Sequence, residues 1–430
     1  MKIFQKTFTI LAVSITAGLN IFGTRSIAAD LAVRKNVVDL TSQEKTAFVS
    51  AVKTLFNTTP EGSTINLYEQ FVVTHVESMG FGMSTHHHEE DTAYGPAAEA
   101  GVDAAHGNAG FLPWHRELLS RFENLLQSVD PTVTIPYWDW TDPEALDIVL
   151  ADDFLGPRGQ GGTFTFNGQT IDAGLGTSAG GPVQSGPFSE AEGWVLKSEI
   201  NVDMFGNSRG TSLVRFTQTP AFSNSYLPKE DIEFALSQDN YTDFRHALEG
   251  EPYTDSQGNY ISKNFYNHNG AHPLIGGLLF NENNEPVAAL GTMTTVTSSP
   301  YDPVFWVLHS NVDRLWAEWQ DNGHTGTAYY PAEGQPYGHN LNDRMWPWDG
   351  GQSRPGNVGS GHLVDLLPVL ASDDIVTPAD TLDFRKRYGY TYDTLQTKIP
   401  EHNSTSGLLG LGALGAGSLL KRKQKQITLS

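Results

Sequence analysis

The chain has 430 residues, of which 39% are hydrophobic and 18% are charged, and it contains no cysteine. The hydrophobic content is sufficient for a sizeable core and excludes a wholly disordered protein, and the lack of cysteine excludes disulfide bonds, iron–sulfur clusters and thiol nucleophiles. With 27 basic against 49 acidic residues, the formal net charge is −22, so no nucleic-acid partner is expected.

The first 29 residues are typical of a secretory signal peptide. Lys2 and Lys6 precede an apolar run, Phe8–Leu19, and residues 26–28 offer small side chains at the cleavage positions. The apolar run is shorter than the roughly 18–20 residues that a transmembrane helix requires. We therefore expect residues 1–29 to direct export, to the cell envelope, the cell surface or the extracellular medium.

Four segments have the composition and hydrophobic spacing of helices: Ser42–Phe56, Leu67–Val76, Glu117–Leu126 and Val312–Gln320. Two glycine-rich stretches, 155–187 and 321–362, are typical of long irregular loops that wrap over a core. Because no linker or fixed-period repeat interrupts the chain, we expect one mainly α-helical domain over residues 30–395, with few short strands.

The C-terminal segment, residues 396–430, has the pattern of a sorting signal. An apolar run, Gly407–Leu420, follows the sequence IPE at 399–401 and precedes the basic cluster Lys421–Lys425. This run is too short to cross a bilayer comfortably. The arrangement resembles the PEP-CTERM signal of Gram-negative bacteria, which implies processing by an exosortase-type enzyme, although His402 stands where that family has a second proline. An unstructured amphipathic tail is the alternative.

Six of the 14 histidines lie among aromatic and aliphatic residues and are candidate metal ligands. In chain order they are His75, His106, His115, His268, His272 and His309. The spacing of His268 and His272 places both imidazoles on one face of a helix. A buried histidine needs a partner, and neutral imidazole is a common metal ligand. Imidazole-only sites suit copper and zinc, whereas calcium or magnesium prefers clustered oxygen atoms.

A zinc hydrolase of the HExxH type is excluded by the residue that follows His268. Such enzymes have a glutamate at that position as the general base. Here the residue is Asn269, which cannot accept a proton. The histidines outside the three clusters are interpreted as structural or surface residues: His246, His324, His339, His362 and His402.

Two motifs resemble the copper-binding motifs of the tyrosinase family. The first runs from His106 to Glu123 (HGNAGFLPWHRELLSRFE), and the second runs from Asp302 to Trp316 (DPVFWVLHSNVDRLW). The resemblance includes IPYWDW at 135–140 and ends at YGYTYD, residues 388–393. It therefore covers most of the predicted domain.

The resemblance implies two copper ions, bound as a binuclear centre inside a four-helix bundle. One ion would be held by His75, His106 and His115, and the other by His268, His272 and His309. Three neutral imidazoles per metal tolerate both Cu(I) and Cu(II). The implied partners are O2 and a small phenolic or catecholic substrate.

The resemblance also implies roles for Glu249 and Asn269. In bacterial tyrosinases, an asparagine after the first ligand of the second copper and an upstream glutamate hold a water that deprotonates a monophenol. Asn269 matches that asparagine, and Glu249 in the sequence FRHALEG matches the glutamate. A base must be positioned as well as basic, and this pair would do so. The match favours an exported tyrosinase that ortho-hydroxylates monophenols and oxidises o-diphenols to o-quinones.

The residues around His309 differ slightly from the family pattern. Leu308 stands where the family has another histidine, but only the second histidine of that pair is a ligand, so the copper site is expected to be retained. Asn311 and Asp313 are expected to form hydrogen bonds near the site or at a helix start. Arg314 is expected to form an ion pair.

Two segments depart from the family pattern more strongly. The histidine-rich run His86–Asp91 is interpreted as an exposed insertion, with copper transfer, or replacement of His75 as a ligand, as alternatives. The segment Leu278–Leu290, close after His272, is interpreted as an insertion that forms a lid over the substrate.

Two alternative functions use the same copper ligands. A catechol oxidase would act on diphenols only, and Asn269 and Glu249 argue against it. A haemocyanin-like protein would bind oxygen without oxidising phenols, and such carriers shield their coppers with an extra domain or plug residue. The few residues after Tyr392 argue against that shielding.

Overall fold

The computed structural model describes residues 31–83, 101–166, 168–172, 180–217, 224–261, 266–280, 286–355 and 363–398. The expected signal peptide, nearly all of the expected sorting tail and the run His86–Asp91 lie outside the described residues. Among the helices of the described ranges, none combines the length and apolar character needed to span a bilayer.

Helices dominate the part of the chain that the structure describes. The α-helices are α1 Ser42–Phe56, α2 Leu67–Ser78, α3 Gly80–Met83, α4 Phe111–Val129, α5 Ala145–Val149, α6 Lys229–Leu236, α7 Tyr241–Glu249, α8 Asn267–Gly276, α9 Val304–Asp321, α10 Pro378–Thr381 and α11 Phe384–Tyr388. The strands are β1 Ala32–Arg34, β2 Thr163–Phe166, β3 Gln169–Asp172, β4 Gly180–Pro182, β5 Val214–Phe216, β6 Tyr253–Thr254, β7 Tyr260–Ile261, β8 Leu278–Phe280, β9 Pro286–Ala289 and β10 Tyr390–Tyr392.

The strands pair two by two and form no extended sheet within the described ranges. Strands β2 to β9 form antiparallel pairs of chain neighbours, whereas β1 pairs in parallel with β10, with Ala32 opposite Tyr390. The β1–β10 pair joins the two ends of the described chain beside the helical core.

Local capping sets the starts of the first two long helices. Thr41 and Glu44 form a reciprocal capping box at α1, and Asn66 and Glu69 form another at α2. These caps agree with the hydrophobic spacing, so the predicted helix Ser42–Phe56 is confirmed with both ends correct. The predicted start of the second helix is confirmed as well.

The two central helices are longer than the sequence predicted. The prediction placed helix starts at Glu117 and Val312, whereas α4 begins at Phe111 and α9 begins at Val304. The residues that the prediction missed are buried on every side of each helix. Without a polar face they carry no amphipathic period, and hydrophobic spacing alone cannot show that they are helical.

Helix α9 lies at the centre of the fold and packs against α4 and α8. Helix α2 also contacts it, because the indole Nε1 of Trp306 donates a hydrogen bond to the hydroxyl of Tyr68 at 2.9 Å. The helices α2, α4, α8 and α9 thus form the helical core, which confirms the predicted fold class.

One buried carboxylate ties α9 to its neighbours. Asp313 accepts hydrogen bonds from Arg116 on α4, from Arg34 on β1 at 3.1 Å, and from the hydroxyls of Tyr390 and Tyr392 on β10. Burial raises the pKa of Asp313, but the two guanidinium groups outweigh it and hold that pKa below its ordinary value. This network fixes the relative position of α4 and α9, each of which carries a candidate ligand.

Candidate copper centre

The structure brings the six candidate histidines together as two triads. The first triad comprises His75 on α2, His106 in the loop before α4, and His115 on α4. The second triad comprises His268 and His272 on α8 and His309 on α9. Within each triad, one nitrogen from every ring lies within 4.8 Å of the other two.

The two triads face each other across a short distance. The rings of His115 and His309 are stacked, with centroids 4.2 Å apart and planes inclined by 8°. Phe305 contacts both triads, with its ring centroid 5.0 Å from that of His75 and 4.1 Å from that of His309. The six imidazoles therefore form one binuclear arrangement with an aromatic side.

Backbone carbonyls orient three of the six rings through Nδ1. The donor and acceptor pairs are His75 with Thr297 at 2.9 Å, His115 with Phe111 at 2.9 Å, and His272 with Met293 at 2.7 Å. A carbonyl oxygen only accepts hydrogen bonds, so Nδ1 of these rings carries the hydrogen and Nε2 keeps its lone pair. This is the tautomer that binds a metal through Nε2.

In the first triad, Nε2 of His75 and Nε2 of His115 are buried without a hydrogen-bond partner among the described residues. Leaving such an atom unpaired costs free energy, which a bound cation recovers. The first triad therefore fits a metal ion that accepts imidazole nitrogen.

In the second triad, Nε2 of His268 lies 3.1 Å from Nε2 of His272 and 3.3 Å from Nε2 of His309. The amide oxygen of Asn269 lies 3.0 Å from Nδ1 of His268, so this Nδ1 also carries the hydrogen. The lone pairs of His268 and His272 consequently point at each other, which is repulsive unless a cation lies between them. Copper suits such a donor set of neutral imidazoles.

Electrostatics keep most of the rings neutral. Burial lowers the pKa of five of them, His75, His115, His268, His272 and His309, and neighbouring imidazoles lower it further. For His272 the pKa falls to about 4. These rings are thus uncharged at neutral pH, the form that ligates metal.

His106 differs from the other five rings. Its Nδ1 lies 3.2 Å and 3.3 Å from the two carboxylate oxygens of Asp103, and it is the one ring of the two triads that is not fully buried. Burial lowers the pKa of His106, but the Asp103 carboxylate outweighs burial and raises it overall. The sequence analysis did not identify Asp103, because an aspartate in a loop carries no recognisable pattern.

Glu249 and Asn269 each border one triad. Oε1 of Glu249 accepts a hydrogen bond from the backbone N–H of Gly107 at 2.8 Å, next to His106, and Oε2 accepts one from Arg245 at 2.5 Å. Glu249 is buried, whereas Asn269 is exposed and uses its amide oxygen to orient His268. In the described part of the chain, no hydrogen bond joins Glu249 to Asn269.

The structure also locates other residues singled out in the sequence. Arg314 pairs with Glu318 at 3.4 Å and donates to Asn311 at 2.8 Å, which confirms the predicted ion pair. Three further histidines lie outside both triads: His246, His324 and His339. His362 and His402 lie outside the described residues. Within Leu278–Leu290, strands β8 and β9 form a hairpin directly after α8, and its role as a lid stays a prediction.

Comparisons with known proteins agree with this geometry. A family model, the common central domain of tyrosinase, matches residues 65–322. The chain is 35% identical over 322 residues to a tyrosinase from Streptomyces glaucescens, which covers 74% of this chain and 93% of that protein. A tyrosinase from Streptomyces galbus is also 35% identical over 322 residues, with 74% and 94% covered.

A polyphenol oxidase mutant from Thermothelomyces thermophila has a similar fold, with a TM-score of 0.51 and 19% identity over 84% of this chain and 88% of that one. The helical core and the two facing triads define a type 3 copper protein with a binuclear site. The chain belongs to the tyrosinase family and is a copper-dependent oxidase.

Proposed function

We propose that this protein is an exported tyrosinase, which uses O2 to ortho-hydroxylate monophenols and to oxidise o-diphenols to o-quinones. The main support is the convergence of six imidazoles in two triads: Nε2 of His75 and Nε2 of His115 are buried without a hydrogen-bond partner among the described residues, and Nε2 of His268 faces Nε2 of His272 at 3.1 Å. One copper ion is assigned to His75, His106 and His115, and the other to His268, His272 and His309.

Copper, when bound, supplies the electron exchange with O2 and with the phenolic ring. The chain supplies the geometry, because the carbonyls of Thr297, Phe111 and Met293 fix three of the rings before metal arrives. The aromatic ring of Phe305 limits access of water from its side of the centre.

We assign proton removal from a monophenol to a water held between Glu249 and Asn269. Each carboxylate oxygen of Glu249 accepts one hydrogen bond and retains a lone pair for a second donor. Asn269 uses its oxygen on His268, which leaves the amide hydrogens free to bind that water. The phenol proton would pass to this water and then to the Glu249 carboxylate.

Oxidation of diphenols alone is the second candidate function. The observation that favours it is that both carboxylate oxygens of Glu249 already accept hydrogen bonds within the protein, from the backbone of Gly107 and from Arg245. In that case the carboxylate of Glu249 only holds the His106 loop through Gly107.

The test compares tyrosine with L-DOPA as substrates for copper-loaded protein, together with metal analysis. We expect two copper ions per chain and turnover of both compounds. Turnover of L-DOPA alone would reject hydroxylation and leave the second candidate. Reversible oxygen binding without oxidation of any catechol would reject an enzyme and indicate an oxygen carrier.

The Glu249→Gln variant separates the two roles of this carboxylate. We expect the ratio of tyrosine to L-DOPA turnover to fall by on the order of a hundredfold, since positioned bases contribute about 10²–10⁴ in rate. Glu192→Gln removes the same charge from an exposed turn and serves as the matched control. A parallel fall in both activities would instead indicate a structural role for Glu249.

Export and processing belong to the same proposal. Residues 1–29 are assigned to a signal peptide, 30–395 to the catalytic domain, and 396–430 to a tail removed by an exosortase-type enzyme. Mass spectrometry of the protein isolated from its own cells tests these boundaries. Intact N- and C-terminal segments in the exported protein would reject them.

A further inference from the structure

His106 is held differently from the other five candidate ligands. Those five lie on helices, whereas His106 lies in the loop before α4. Asp103 orients its ring, but the position of its backbone depends on residues 106–110. Within this loop, the side chain of Asn108 donates a hydrogen bond to the carbonyl of His106 at 2.7 Å and accepts one from the N–H of Gly110 at 2.8 Å. These two local bonds shape the loop but do not attach it to other elements.

The carbonyl of Ala109 attaches the loop to two other parts of the chain. The hydroxyl of Tyr241, the first residue of α7, lies 2.7 Å from this oxygen, and the hydroxyl of Tyr330 lies 3.0 Å from it. Both tyrosines are buried, and their ring centroids are 4.6 Å apart. The Tyr330 hydroxyl also lies 3.0 Å from the carbonyl of His339. Each hydroxyl has one hydrogen to donate, so the two hydrogens serve two carbonyls, those of Ala109 and His339.

The ring of His339 packs against the end of the same loop. Gly110 has a φ of −69°, which any residue adopts, but a Cβ at this position would clash with Nδ1 of His339. Both ring nitrogens of His339 are buried without a hydrogen-bond partner among the described residues. The ring therefore acts on Gly110 through close packing.

Tyr330 and His339 belong to residues 330–343, which follow α9 and which we call the outer segment. This segment is held by hydrogen bonds of its own. Oδ2 of Asp343 accepts one from the side-chain amide of Asn340 at 2.7 Å and another from the backbone N–H of the same residue at 3.3 Å. The outer segment thus offers the loop a fixed support.

We propose that Tyr241 and Tyr330 are positioning residues for the first copper ion. Their hydroxyls, together with the ring of His339, hold residues 109–110, so that the ring of His106 stays within reach of this ion. Loss of the support weakens the first copper ion and spares the second, whose ligands lie on α8 and α9. The inference rests on the proposed assignment of His106 to the first copper ion.

Removal of the hydroxyls tests the proposal on protein loaded with Cu(II) and titrated with a competing chelator. Tyr330→Phe and Tyr241→Phe each keep the ring and remove one hydrogen-bond donor. We expect each change to weaken the first copper ion about three- to tenfold, the effect of one lost buried hydrogen bond, and the double variant to weaken it further. Tyr329→Phe is the matched control, because the Tyr329 ring packs near Trp319 and its hydroxyl has no hydrogen bond among the described residues.

A second set of variants tests the packing of His339 on the loop. Gly110→Ala adds a methyl group that meets the ring of His339, and His339→Ala removes that ring. We expect Gly110→Ala to weaken the first copper ion about fivefold in the unaltered protein and less than about twofold in the His339→Ala background. Such non-additivity identifies the contact itself, since two independent changes would add.

The free energy of unfolding of the copper-free variants separates positioning from general destabilisation. A structural role alone would lower this free energy and weaken both copper ions alike, which overturns the inference. Unchanged affinity for the first ion in the double tyrosine variant, or equal effects of Gly110→Ala in both backgrounds, overturns it as well. If the double tyrosine variant does not fold, the single variants and the Gly110→Ala comparison still decide.

His106→Ala distinguishes failure of this inference from failure of the ligand assignment. Loss of the first ion in His106→Ala, without any effect of the tyrosine variants, overturns the inference and keeps the assignment. Retention of both ions in His106→Ala overturns the two together. Oxidation of the uncharged substrate 4-methylcatechol is measured alongside: its absence in the unaltered protein would reject the proposed function, while the copper affinities still decide the inference.

Discussion

The two histidine triads have the same composition but differ in what holds their rings. All three rings of the second triad lie on helices α8 and α9 and are buried. In the first triad, His106 lies in a loop, is partly exposed and contacts the carboxylate of Asp103. Helix backbone hydrogen bonds fix the second triad, whereas one ring of the first depends on a single side chain.

Because of this difference, the second triad is the more rigidly held of the two and the first triad is the more accessible from solvent. In the second triad, burial lowers the pKa of all three imidazoles. Nε2 of His268 lies 3.1 Å from Nε2 of His272 and 3.3 Å from Nε2 of His309, so the three nitrogens are already close together without a metal ion. In the first triad, His106 lines a cavity of about 550 Å³ and is the only ring of the six whose pKa is raised. We infer that the second triad sets geometry, and that the first mediates contact with the surroundings.

The largest expected effect follows from removing one imidazole of the second triad. His309→Ala should lower bound copper from two ions to about one per chain and reduce catechol oxidation by on the order of a thousandfold, because a binuclear centre needs both metals. Metal analysis and oxidation of 4-methylcatechol measure this. His324→Ala, at a ring stacked on Trp319 outside both triads, is the control. Two retained copper ions in His309→Ala would contradict the assignment of this ligand.

The pH dependence of the copper-free protein provides the next test. For His272 the folded pKa of about 4 lies below the ordinary 6.5. As pH falls below 6.5, the unfolded chain binds the proton first, so the free energy of unfolding decreases. This ring alone accounts for a loss on the order of 3 kcal/mol between pH 6.5 and 4. Denaturant unfolding of chelator-treated protein at several pH values measures the loss.

His106 should behave in the opposite sense. Its folded pKa is raised, so it contributes stability below the ordinary pKa of histidine, and that contribution is lost as pH rises through the folded value. His272→Gln should therefore flatten the loss of stability below pH 6.5, whereas His106→Gln should remove a gain in stability that the unaltered protein shows as pH falls towards 6.5 from above. The same change in both variants would show that the two triads do not differ electrostatically.

The sequence was informative where residues act at short range. The i,i+4 spacing of His268 and His272 and the capping residues of α1 depend on neighbours in the chain, so they were predictable. The other four histidines were singled out by their aromatic and aliphatic surroundings, and the motif resemblance assigned all six to two copper ions inside a helical bundle. The first turns of α4 and α9, residues 111–116 and 304–311, were missed because hydrophobic spacing cannot show a helix that is buried all round.

Residues that act through distant contacts were not predictable in the same way. Glu249 and Arg245 lie near each other in sequence, but the carboxylate of Glu249 also holds the backbone of Gly107, more than a hundred residues earlier. Asp313 was expected only to form hydrogen bonds near the site, whereas it joins two arginines and two tyrosines from three elements. Such networks become visible only when the chain is folded.

The smallest expected effect concerns the one ring that a helix does not hold. Asp103 also accepts hydrogen bonds from the backbone N–H groups of Ala105 at 2.7 Å and His106 at 3.0 Å, so its carboxylate orders the loop as well as the ring. Asp103→Asn should weaken copper binding at the first triad about 10- to 100-fold, the usual effect of losing a group that orients a ligand. Titration with a competing chelator resolves the two copper ions.

In the same titration, the copper ion of the second triad should keep its affinity, because the rings of α8 and α9 have no contact with Asp103 among the described residues. Asp147→Asn, at a side chain that is 77% exposed, is the matched control for loss of one negative charge. Equal weakening of both copper ions would mean that the triads respond as one unit, and that the loop does not act on the first triad alone. Weaker binding of the first copper ion alone would show that the His106 loop positions a ligand of the first triad, as helices α8 and α9 do for the second triad.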